Sequence, residues 1–152
     1  MIQRIQSLYL FVSLCFILSA FFAPAAKLAY ETGQILSFNL RGFYLAEAGT
    51  ATSVSSQYSL MFFGIVIGAL NLITIFLYKN RVLQIRLCIY NILLLAGLTG
   101  VMLFILYSLP NVQSVSLRMA AVFPLISLIL HYLAFRGIRK DELMVLALSR
   151  LR

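Results

Sequence analysis

Charge is scarce in this sequence, and acid scarcest of all: four Asp and Glu stand against twelve Lys and Arg, and charged residues fill only 11% of 152 positions. Tryptophan is absent, and there are three prolines, two cysteines and one histidine. So little charge excludes an ordinary soluble domain, about a quarter of whose residues are charged. Cys15 and Cys88 both sit inside apolar runs. That placement excludes a secreted disulfide framework and a closely spaced metal pair. There is no HExxH, GxSxG or phosphate-binding loop, and no carboxylate within the apolar runs for acid-base work. His131 has Ser127 four residues before it, but no orienting carboxylate or oxyanion site accompanies them. The chain is therefore expected to be no enzyme and to need no cofactor or metal.

What is present is apolar. Hydrophobic residues make up 62% of the chain and the mean hydropathy is +1.00. Four runs approach or exceed the roughly 20 residues needed to cross about 30 Å of hydrocarbon. They cover about 8–26, 58–78, 87–109 and 117–135. The expected fold is an all-α membrane protein, one four-helix domain over residues 1–152, with a loop at 27–57 and a tail at 136–152. The first run has an alternative reading as a signal peptide, because Arg4 precedes it and Ala23-Pro24-Ala25 resembles a cleavage site. Its apolar stretch is long for that role, and removal would put the basic 79–86 turn on the outer face, so retention is expected.

Orientation follows from the cations near helix ends. With both termini cytoplasmic, Arg4, Lys79, Arg81, Arg86, Arg136, Arg139, Lys140, Arg150 and Arg152 lie inside, against Lys27, Arg41 and Arg118 outside. The net charge of +8 is thus better matched to anionic lipid headgroups than to nucleic acid, which is not expected as a partner. Lys79, Arg81, Arg86, Arg136, Arg139 and Lys140 form the expected basic cytoplasmic surface.

In the external loop, Leu36, Phe38 and Leu40 alternate with Ser37, Asn39 and Arg41, the period of a half-exposed strand. Turns at Thr32-Gly33 and Arg41-Gly42 make a short β-hairpin the expected element. Residues 48–57 read as a flexible return, and 110–116 as a bare connector. In the tail, Gly137 is expected to end the fourth helix, with Asp141 and Glu142 opening a separate amphipathic interfacial helix. A continuation of helix four is the rival reading.

Four polar residues within the apolar runs stand out: Asn71, Thr74, Asn91 and His131. At 1.5 Å per residue they lie roughly 6 to 10 Å below the inner surface, in one candidate polar layer. They read either as a pocket for a proton or small solute, or as interhelical glue in which Asn71 and Asn91 bond each other. Gly64, Gly68 and Asn71 share a face of helix two and, with Asn91, are the expected helix-helix interface. Gly97 and Gly100 offer a second small pair on another face of helix three. Arg81, Gln84, Cys88 and Asn91 align on one face leading inward from the surface. The usual marks of ion-coupled carriers, intramembrane charges and repeats, are missing, and Pro124 alone would merely kink helix four.

The opening MIQRIQSLYL, the turn YKNRVLQIRLC and the tail RGIRKDELMVLALSRLR together resemble an uncharacterised family of small four-span membrane proteins of Bacteroidota. The resemblance implies a multi-pass protein of the bacterial inner membrane and carries no catalytic residues. The expected function is a non-enzymatic accessory or structural subunit of a larger inner-membrane complex. The alternative is a small oligomeric transporter or channel for a solute or proton.

Overall fold

The computed structural model describes residues 2–30, 34–47, 50–77, 80–109 and 112–150. Four helices long and apolar enough to cross a membrane dominate it: α1 (Ile2–Phe22), α2 (Tyr58–Phe76), α3 (Arg81–Tyr107) and α4 (Phe123–Arg150). They mark a multi-pass membrane protein. The main helix contacts join α1 to α2 and α4, and join α3 to the same two, so the helices close into an antiparallel ring. Each buries a stripe at alternating steps of four and three. On α2 it is Leu60, Gly64, Ile67, Asn71 and Thr74. On α4 it is Ser127, His131, Ala134, Ile138 and Asp141. This heptad spacing is that of left-handed four-helix bundles.

The loop between α1 and α2 is more than a hairpin. It supplies β1 (Ala26–Tyr30), β2 (Ile35–Asn39), β3 (Gly42–Glu47) and β4 (Thr50–Ser56), and the α3–α4 connection adds β5 (Val112–Leu117). These form one antiparallel sheet in the order β4-β3-β2-β1-β5. Two expectations change here: 50–56 is a strand instead of a flexible return, and 112–117 is an edge strand instead of a bare connector. The expected turn at Thr32-Gly33 lies outside the described residues. At the other turn Gly42 has φ 139°, a conformation only glycine adopts without strain. The backbone N–H of Arg41 donates to Asn39 Oδ1 at 2.9 Å, and the Phe38 and Phe43 rings pack 4.9 Å apart across β2 and β3.

The alternation read in β2 is the observed one: Leu36, Phe38 and Leu40 are buried while Ser37 and Asn39 are half-buried. Their faces, with Ala26 and Leu28, merge with Ile17, Leu60, Ile67, Leu95, Leu98, Met102 and Leu106 into one apolar core. The sheet thus seals one end of the ring. A hairpin alone is marginal in water, and this core is what holds it.

Helix four does not stop at Gly137. It runs unbroken to Arg150, so no separate tail helix forms. A Cβ at position 137 would stand 3.1 Å from Gln6 Cγ and 3.3 Å from its Nε2. The glycine therefore makes room for α1. Gln6 then donates to the buried Asp141 carboxylate at 2.6 Å, one turn further along α4. Pro124 does not kink the helix either, because it sits in the first turn, where no carbonyl needs its missing N–H.

Candidate functional site

Ser13, Asn71, Asn91, Ser127 and His131 all have zero exposure. Helical spacing places them together. One turn toward the sheet from Ser13, Asn71, Asn91 and His131 stand Ile17, Ile67, Leu95 and, next to Ser127, Leu128, all part of or packed on the sheet-end core. One turn the other way stand Leu10, Ile75, Cys88 and Ala134, which belong to or pack on a second apolar cluster with Ile138. The polar groups form a single stratum between two apolar ones.

Half of this stratum is bonded. His131 Nδ1 lies 3.0 Å from the Ser127 carbonyl and 2.9 Å from Ser13 Oγ. A carbonyl only accepts, so the proton belongs on Nδ1 and Nε2 is the acceptor of the neutral ring. Ser127 Oγ donates to the Ser13 carbonyl at 3.2 Å, and Ser13 Oγ reaches back to the Ser127 carbonyl at 3.5 Å. These bonds stitch α1 to α4.

The other half is not bonded. Both side-chain atoms of Asn71, both of Asn91, and His131 Nε2 are buried without a hydrogen-bond partner among the described residues. The structure brings Asn71 and Asn91 into the same stratum as His131 but does not pair them with each other. Together they offer two amide donors, two amide acceptors and an imidazole acceptor. Thr74 stands apart from this set, donating to the Leu70 carbonyl of its own helix at 2.6 Å. Gln84 ties α3 to α2 by donating to the Thr74 carbonyl at 3.3 Å.

Gln6 and Ser13 are not among the residues expected from the sequence, where Ser127 enters only as a neighbour of His131 without supporting groups. The signal was there: Gln6, Leu10, Ser13, Ile17 and Ala20 follow the stripe spacing, and all are buried. A polar residue in an apolar helix, in register with others, marks the inward face.

Of the remaining expected residues, Gly64 is buried at a helix contact and the other described ones are partly or fully exposed. Gly64 meets α1 closely, since a Cβ there would come within 2.5 Å of the Phe21 ring. Gly68, one turn on, has no atom within 4 Å of a built Cβ and lines an open groove between α1 and α2. Gly97 and Gly100 are exposed on α3 and equally open. The basic residues sit at the end opposite the sheet, with Arg86, Arg136, Arg139 and Lys140 exposed and Arg81 half-buried above Gln84. Lys79 lies outside the described residues. No group of three metal-ligating side chains occurs among the described residues.

The model of a family described as a domain of unknown function, DUF4293, matches residues 2–151. The chain belongs to this family. The match takes in the whole ring of helices and both segments that build the sheet, so the polar stratum lies within the family's domain. No curated protein matches the chain.

Proposed function

We propose that the protein is a non-enzymatic accessory or structural subunit of a larger complex in a bacterial inner membrane. In this reading both termini and the basic end face the cytoplasm and anionic headgroups, and the sheet faces outward. The outer face of α3 carries the proposal. Leu93 and Phe104 are 63% and 71% exposed and flank Gly97 and Gly100 on that face. Each glycine costs a helix roughly 0.5–1 kcal/mol relative to alanine. Neither is compensated by a close contact among the described residues. A notch of this shape suits a neighbouring helix, whose backbone comes near only where side chains are small.

The test is native mass in mild detergent, before and after Gly97→Leu and Gly100→Leu are introduced together. Wild type is expected above the monomer mass, and the double variant as a folded monomer. A monomer in both cases removes the proposal.

The polar stratum favours a second reading, a small transporter or channel whose solute or proton engages Asn71, Asn91 and His131. It requires that His131→Ala abolish a solute- or proton-dependent flux in proteoliposomes without lowering the folded yield. No flux across a broad solute panel excludes it.

A further inference from the structure

Two concavities meet at one arginine on the α1–α2 seam. The first is an apolar groove of about 600 Å³ running down the helices, walled by Leu14 and Leu18 of α1 and by Ile65 and Leu72 of α2. Gly68 lines it at mid-length, and Arg41, from the β2–β3 turn, stands at its sheet end. The second is a smaller hollow of about 330 Å³ between the end of α1 and the sheet, with Ser37, Asn39 and Tyr44 among its lining residues. Phe21, Phe22 and Arg41 line both.

The Arg41 guanidinium lies 4.5 Å above the Phe22 ring, which fixes where the charge sits. Neither hollow is lined by a carboxylate among the described residues. The polar end therefore suits an anion. The helical part has the opposite character, and from Met61 to Leu72 it covers about 16 Å at 1.5 Å per residue. That is close to half of a hydrocarbon core about 30 Å thick. A partner helix could fill the apolar part but gives no reason for a cation at its end. An anionic head joined to a chain one leaflet long accounts for both.

We propose that this seam binds one anionic glycerophospholipid from the leaflet at the sheet end. Its acyl chain lies against Gly68, and its phosphate is held by Arg41 with the Ser37 and Tyr44 hydroxyls. The site is distinct from the α3 notch and from the basic surface at the other end, and it depends only on the helices crossing a membrane.

The test is native mass spectrometry of the full chain in mild detergent, with phosphatidylglycerol, phosphatidylcholine and a free fatty acid offered in separate arms. A phosphatidylglycerol carrying a photoreactive acyl chain locates the bound lipid. Wild type is expected to retain one phosphatidylglycerol in preference to the other two, with adducts on α1 and α2 facing the groove. Arg41→Gln is expected to weaken that retention about tenfold, as loss of a charged hydrogen bond does, and Arg41→Lys to recover most of it. A Cβ at position 68 meets no neighbouring group within 4 Å among the described residues, so Gly68→Leu is expected to fold and to displace the chain. The proposal fails if phosphatidylcholine or the fatty acid binds equally well, or if adducts fall on the basic end. It also fails if Gly68→Leu alters oligomer mass while lipid retention stays unchanged.

Discussion

At the scale of single residues, the interior polar groups divide by whether the chain satisfies them. A buried amide without a partner costs stability, and an apolar substitute of similar shape is nearly neutral or better. Asn71→Leu and Asn91→Leu are therefore expected to hold or raise the thermal unfolding temperature in detergent. His131→Leu should lower it, with a loss of about 1 kcal/mol in stability, because Ser13 Oγ loses a partner. If the asparagine variants unfold earlier than wild type, the stratum is satisfied by something the chain itself does not supply. Gly137 is the second case. Gly137→Ala crowds Gln6 and threatens its bond to Asp141, whose loss leaves a buried carboxyl short of a donor at about 1–3 kcal/mol. The same substitution in a Gln6→Ala background should cost clearly less, and a double-mutant cycle measures the difference. Additive effects would show that the two side chains do not interact. The residue types at Asn71, Asn91 and His131 drew attention in the sequence. Their missing partners could not, because hydrogen bonding depends on distances that only packing sets.

At the scale of elements, the helices were legible from composition and the strands only in part. The period-two run at 35–41 announced β2, because its buried face is apolar and its other face polar. Val112–Leu117 gave no such signal, since its pairing with the free edge of β1 creates the strand. Lys27 and Ser116 are Cα partners in that pairing. In a Cys15→Ala background, Lys27→Cys with Ser116→Cys should form a disulfide seen as linked peptides after digestion. Absence of the link would remove β5 from the sheet. Helix four erred the other way. Glycine and paired acids read as a break and a restart, but Gly137 answers to the side chain of Gln6 across the interface. Amide exchange should accordingly be slow without interruption through residues 132–142.

For the whole molecule, the closed ring puts the sheet at one end and the basic residues Arg81, Arg86, Arg136, Arg139 and Lys140 at the other. If orientation follows the cations, a cysteine at Arg86 or Arg139 should react in intact cells only with a membrane-permeant maleimide. One at Asn39 or Ser114 should react with an impermeant reagent. The reverse pattern would invert the proposed topology. The sequence by itself determined the number of helices, their capacity to cross a membrane and the asymmetry of charge, because each depends on run length and composition alone. It marked the inward face only where polar or small residues fall in register, as at Asn71 and Asn91, because the helices are apolar nearly all round and hydrophobicity carries no direction there. Only the tertiary structure decided how those faces meet, and with it the bonding within the polar stratum, the Gln6–Asp141 contact and the seam at Arg41. Each of these joins residues far apart in the chain through distances that no local pattern encodes.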